Sequence, residues 1–305
     1  MKVGMLLNVN NHTVDPATLA RAVEDAGFES LWVGDHPVIP LTTDSAMQGS
    51  GGKIPEAYAH VSDPFVALAM MAAATTTLKL GTGICILPAR HPIMTALQAA
   101  TLDWFSKGRL LFGVGCGWLR EELELLGVDH ARRLEQTREY AQAIRALWSD
   151  PAQPFAGEWV SFPEVKLNPR PAQPGGPKIH LGTWGPKAVE RVVAWADGWL
   201  PMLVTPEELA DEMDRLRAEC RRHGRDPYEI EVTLFEYDPG GDREASQEFL
   251  ARYAEAGAHR VVVIQGLGDH MGSHEWGTWS ADRFREQLDH AAARYLDTSG
   301  REVLT

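Results

Sequence analysis

The chain has 305 residues, 44% hydrophobic and 23% charged, which supports a large packed core and sets disorder aside. Its formal net charge of -13 repels phosphate backbones, so nucleic acid is not expected as a main partner; an anionic cofactor in a local site of opposite sign stays open. No stretch approaches the ~18 uninterrupted apolar residues of a membrane span, and Met1 to Asn10 lack the apolar core and cleavage site of a signal peptide, so no membrane contact and a cytoplasmic location are expected.

Short β-branched runs alternate with segments of helical periodicity. Val3 to Val9 reads as a first strand. Asp15-Pro16 then opens a helix, Asp as N-cap and Pro at the first position, and Leu19, Ala22, Val23 and Ala26 form its buried face before Gly27 ends it. Ser30 to Gly34 is the second strand, Asp63-Pro64 opens the next helix, and Leu78 to Ile84 is the third strand. A helix over Pro92 to Phe105 precedes the fourth strand, Arg109 to Val114, and helical stretches follow over Leu119 to Leu126 and Ala131 to Trp148. Pro177 to Leu181 is the fifth strand with its helix over Pro186 to Trp195, and Gly198 to Leu200 is the sixth. Thr205-Pro206-Glu207-Glu208 is a capping box. Ile230 to Phe235 and Arg260 to Ile264 are the seventh and eighth strands, with helices near Phe249 to Ala256 and Ala281 to Tyr295. Strands joined by crossover helices form a parallel sheet, and eight such units close into a (β/α)8 TIM barrel, read as one domain over 1–305.

Two segments break the repeat. Residues 37–61 after the second strand are rich in Gly, Ser and Pro and contain Gln48-Gly49-Ser50-Gly51-Gly52; they read equally as an active-site lid or a surface loop. Residues 150–174 are Pro-rich, with a hairpin-like run from Gly157 to Phe162. Cys85, Cys116 and Cys220 are odd in number and widely spaced, with no CxxC, which disfavours a disulfide frame and structural zinc. His12, His36, His60, His91, His130 and His180 are scattered without metal-ligand spacing, so no metal is expected.

A barrel carries its chemistry where its strands end. After the second strand stand Asp35 and His36, the best acid–base candidates, although adjacent residues need not touch and alone would read as a turn cap and a packed ring. Thr82, Gly83 and Ile84 close the third strand; Gly113, Gly115, Cys116, Gly117 and Trp118 follow the fourth, where alternate glycines admit either a ligand or tight packing. Thr183, Trp184 and Gly185 follow the fifth, at a helix start suited to a phosphate or simply beginning a helix, and Met202 follows the sixth. A Ser–His–Asp hydrolase lacks its GxSxG elbow, and no Lys or carboxylate pairs suggest an aldolase.

These runs resemble the luciferase-like flavin and deazaflavin barrel enzymes. The resemblance rests on Glu29-Ser30-Leu31-Trp32-Val33-Gly34-Asp35-His36, on Leu80 to Ile84 with Arg90-His91-Pro92, and on Ala196-Asp197-Gly198-Trp199. Most specific is the block Gln98 to Asp103, Gly108-Arg109-Leu110 and Gly113-Val114-Gly115-Cys116-Gly117-Trp118. It spans most of residues 1 to 205. It implies a barrel, working as a homodimer, that binds coenzyme F420 or FMN at its strand ends and acts on a small-molecule substrate. A non-prolyl cis bond at Gly83-Ile84 would back the ring, Asp35 and His36 would lie near its reactive face, and Thr82, Gly115, Cys116, Gly117, Thr183, Trp184, Gly185 and Met202 would line the cofactor. Trp118 stands where sugar-phosphate-oxidising members carry an acid, which points away from that substrate; the Asp-His pair favours an F420-dependent oxidoreductase over an FMN-dependent monooxygenase or a non-catalytic binding protein.

Overall fold

The computed structural model describes residues 1–305 apart from 12, 46–53, 55, 265–280 and 297–305, so His12 and the Gln48 to Gly52 run lie outside the described residues. Eight strands alternate with helices: β1 Lys2–Leu6, α1 Pro16–Ala26, β2 Ser30–Val33, α2 Pro64–Ala74, β3 Lys79–Thr82 resuming after a break as Cys85–Ile86, α3 Pro92–Phe105, β4 Leu110–Gly115, α4 Arg120–Leu125 and α5 Arg133–Trp148. Then come β5 Ile179–Gly182, α6 Ala188–Trp195, β6 Gly198–Trp199, α7 Pro206–His223, β7 Glu231–Tyr237, α8 Arg243–Ala256, β8 Arg260–Ile264 and α9 Ala281–Tyr295. The strands are parallel in the order β3-β2-β1-β8-β7-β6-β5-β4, and pairing of β4 with β3 closes the barrel. Lys2 to Leu6 match Arg260 to Ile264 residue for residue.

Local chemistry sets the helix starts. Asp15 accepts from the Thr18 N–H at 3.0 Å, and Asp63 accepts from those of Phe65 and Val66 at 2.9 and 3.1 Å. Thr205 and Glu208 form the reciprocal box, and Gly27 ends α1 at φ 86°. The strands bury both faces with a period of two. Leu31, Val33, Val261 and Val263 pack outward against the helices, while Trp32, Phe235, Val262 and Ile264 fill the barrel, where Trp32 meets Phe235 edge-on at 5.2 Å. Each such side chain stabilises the fold by roughly 1.5–3 kcal/mol on burial.

Most elements begin or end one to three residues from their expected bounds, and three of the differences have a visible cause. The third strand is not continuous to Ile84: it stops at Thr82, its Gly83–Ile84 peptide is cis, and Cys85–Ile86 resumes against Val114 and Gly115. The helix expected from Pro186 begins at Ala188, because Gly185 at φ 86° turns the chain first. The helix expected from Phe249 begins at Arg243 behind an Asp242 cap, its first turns being too polar to show apolar periodicity.

The end where the strands begin is closed by charge. Arg260, almost fully buried, grips both oxygens of Glu29 at 2.7 and 2.8 Å and donates to the Thr233 hydroxyl at 2.9 Å. It also lies 3.1 Å from Glu231, which holds Lys2 at 3.0 Å. Of the two irregular segments, the second folds as a hairpin, Phe155–Ala156 against Ser161–Phe162. Glu139 of α5 pins its turn, accepting from the N–H groups of Glu158, Trp159 and Val160 at 2.7–3.0 Å.

Candidate active site at the strand ends

Asp35 and His36 leave β2 in different directions. The Asp35 carboxylate is buried with both oxygens partnered: Arg90 grips both at 2.8 Å, and the Ile86 N–H donates at 3.0 Å. Arg90 also reaches Asp63, the cap of α2, at 2.9 Å. Asp35 therefore ties the exit of β2 to the resumed part of β3, just past the cis bond. The guanidinium's pKa is raised despite burial, because Asp35 holds it charged.

His36 turns instead to α4. Its Nδ1 lies 3.0 Å from Oε2 of Glu122, a carboxylate with no exposed surface. The other Glu122 oxygen accepts from the Val38 N–H at 3.4 Å. Tyr58 and Trp118 meet the imidazole edge-on, with ring centroids at 4.7 and 6.0 Å. Burial pushes the Tyr58 phenol up, which keeps it neutral. Among the described residues, nothing hydrogen-bonds His36 Nε2. The neighbouring Glu121 anchors the start of the first insertion, accepting from the Asp44 N–H at 2.9 Å and the Ser45 hydroxyl at 2.6 Å.

The glycines after the fourth strand have packing reasons of their own. A Cβ on Gly113 would fall 2.2 Å from the Thr82 carbonyl, and one on Gly115 would fall 1.9 Å from Ile84 Cδ1, so both admit the β3 break; Gly117 adopts φ 75°. Thr82 is wholly buried and its hydroxyl donates to the Gly113 carbonyl at 2.6 Å, holding β3 to β4. Cys116 is a free thiol pushed up by burial, with Arg133 and Arg191 acting the other way. Arg133 donates to the Gly117 carbonyl at 3.2 Å, and Arg191 to the Thr183 hydroxyl at 3.3 Å and the Trp184 carbonyl at 3.4 Å. Two guanidiniums thus meet at the corner between β4 and β5. Thr183 is buried, whereas Trp184 and Met202 are exposed by 59% and 42%. Met202 bridges to Phe235 at the exit of β6.

The strand ends therefore hold Cys116, Trp184 and Met202 in open or semi-open positions and His36 nearly buried with one ring nitrogen unbonded among the described residues, while Asp35, Thr82 and Thr183 are bonded within the wall. Glu122, Tyr58, Arg133 and Arg191 were missed by sequence reasoning. Only Glu122 left a trace, as half of an acidic pair just after the glycine run. Among the described residues no three His, Cys, Asp or Glu side chains gather as metal ligands. Among them also, no helix is long and apolar enough to cross a membrane.

The fold has solved counterparts. The monooxygenase RslO1 from Streptomyces bottropensis superposes with a TM-score of 0.72 at 19% identity, covering 96% of this chain and 98% of that one. An F420-dependent secondary alcohol dehydrogenase, solved with an F420-acetone adduct, superposes with a TM-score of 0.71 at 17% identity, covering 96% and 99%. At these identities the likeness concerns the fold. In sequence, an uncharacterized Mycobacterium tuberculosis protein is 33% identical over 267 residues, 86% of this chain and 91% of its own. The family model described as luciferase-like monooxygenase matches residues 5–295, nearly the whole barrel, and the chain belongs to that family.

Proposed function

We propose that this protein is an F420-dependent oxidoreductase that moves a hydride between the deazaflavin and a small organic substrate at the strand ends, with His36 handling the accompanying proton. One observation carries the reading: at the strand-end face of a luciferase-like barrel, a histidine fixed through one ring nitrogen keeps the other without a partner among the described residues. An imidazole so placed suits proton exchange with a bound substrate. The bound cofactor would supply the hydride acceptor or donor.

The residues present fit such a group. Arg133 and Arg191 offer positive charge to an anionic tail beside Thr183, Trp184 and Gly185. Gly83–Ile84 and the backbone from Gly115 to Gly117 form the wall against which a ring would lie. Asp35, whose oxygens are already occupied, acts by bracing that wall through Arg90 and Ile86 rather than by touching the cofactor. Titrating the protein with F420 and, separately, with FMN while following fluorescence tests the reading. Saturable binding of F420 alone is expected. Saturation by FMN alone would make the protein an FMN-dependent monooxygenase, and binding of F420 without turnover across a panel of alcohols, carbonyls and enoates would make it a binding protein.

The working form is a homodimer through α2 and α3. Val66, Ala69, Met70 and Ala73 form an exposed stripe at helical spacing on α2, continued on α3 by Met94, Trp104 and Phe105. Helix α2 carries no ionisable residue, and Asp103 of α3 is buried on Gln173. A two-fold contact sets identical patches face to face. On a chain of net charge -13, an uncharged apolar face does this without like-charge repulsion. Met70→Lys should convert a dimer to monomer in sedimentation velocity; an unchanged dimer would place the interface elsewhere.

A further inference from the structure

The His36 ring is buried apart from 8% of its side-chain surface, and its only polar partner among the described residues is Glu122. The two come together from 86 residues apart, and Glu122 itself has no exposed surface. An ionised carboxylate can only accept hydrogen bonds. One Glu122 oxygen accepts from the Val38 N–H, and with Glu122 ionised the other faces Nδ1 as an acceptor. The proton of a neutral imidazole then belongs on Nδ1, and the lone pair on Nε2.

We propose that Glu122 is the positioning residue of this site: it fixes the Nδ1–H tautomer of His36 and aims an unprotonated Nε2 at the strand-end opening. The inference rests on the reading of His36 as the group that handles the proton. In the oxidative direction a bound oxidised deazaflavin would take up the hydride of the substrate C–H bond. The substrate O–H proton passes to Nε2, leaving a carbonyl and an imidazolium balanced by the Glu122 carboxylate. In the reductive direction the same imidazolium returns the proton from Nε2.

The consequence of Glu122→Gln follows from its two contacts. The amide keeps an oxygen for the Val38 N–H and turns its NH2 toward Nδ1. That group donates, so Nδ1 must become the acceptor and the proton must move to Nε2. In cofactor-free protein labelled with 15N-histidine and studied at alkaline pH, the wild type should show Nδ1–H, and Glu122→Gln should show Nε2–H. The His36 signals are identified as those absent from His36→Asn. With cofactor and substrate, Glu122→Gln should lower kcat by roughly 10–100-fold and leave cofactor affinity unchanged. A structural role alone would leave the tautomer where it was. Nε2–H in the wild type overturns the proposal, and this outcome can be read even if the variant does not fold; Nδ1–H retained in a folded Glu122→Gln overturns it too. Because the tautomer is read without cofactor, failure of F420 to bind would overturn the hydride-transfer reading and leave the tautomer test of Glu122 standing by itself.

Discussion

Where the strands begin, Arg260 gives its guanidinium to Glu29, Thr233 and Glu231, and the barrel closes over a network of partnered charge. Where they end, His36 spends one ring nitrogen on Glu122 and leaves the other with no partner among the described residues. Both ends use buried ionisable groups held by carboxylates from neighbouring elements. They differ in what is left over. A closed network contributes to holding the strands in register; a group fixed on one side and open on the other can exchange a proton without moving.

The sharpest way to break this comparison is to remove one group from each end. Arg260→Ala strands the partly buried Glu29 without its cation and leaves Glu231 with Lys2 alone, and loss of one partner from a buried pair costs about 3–5 kcal/mol. The urea midpoint should fall accordingly, while turnover per folded molecule stays near wild type. His36→Ala should behave in the opposite way: a thermal transition close to wild type, F420 affinity largely intact, and turnover lowered by roughly 100-fold or more, equivalent to about 3 kcal/mol in the barrier. Normal turnover in His36→Ala would remove the proton-handling role, and an unaltered urea midpoint in Arg260→Ala would show that the closed end is not held by its charges.

The two ends were also unequally legible in the sequence. Asp15, Asp63 and Thr205 announce their helices because a cap and its N–H targets lie within three residues. Runs such as Arg260–Ile264 announce strands because parallel sheet buries both faces. The candidate site depends on contacts of another kind. Asp35 and His36 look like a pair in sequence, yet one joins Arg90 and the other Glu122, because successive side chains on an extended chain point to opposite sides. Glu122 lies on a short helix in an acidic run, and nothing local reveals that its partner is 86 residues away. The break in β3 is hidden by a composition that reads as unbroken strand from Leu78 to Ile84; the family resemblance singled out the Gly83–Ile84 bond where residue patterns did not. The alternate glycines signalled close approach correctly without saying to what, and much of the space they leave is taken by Thr82 and Ile84.

The smallest expected effect concerns acid, and it belongs to the closed end. His180 is fully buried, with neither ring nitrogen hydrogen-bonded, and lies 3.9 Å from Glu231. Burial pushes its pKa down to about 4, against the opposing pull of Glu231. Below its ordinary value near 6.5 the unfolded chain takes up a proton that the folded chain refuses, so stability should fall from about pH 6.5 to about pH 4 and then level off for this group. Glu231 works in a lower window: burial opposes its ionisation, but Arg260 and Lys2 hold it down to about 2, so its stabilisation is lost as pH falls from about 4.5 to about 2. His180→Leu should shrink the upper leg and leave the lower one in place. The upper leg should not vanish, since burial also lowers His259 and His130. Urea midpoints measured from pH 7 to pH 3 separate the two legs. An upper leg undiminished in His180→Leu would mean that the buried imidazole is not what makes the closed end acid-sensitive. A reduced upper leg with turnover at pH 7 unchanged would show that the acid response of the closed end is separable from chemistry at the open one.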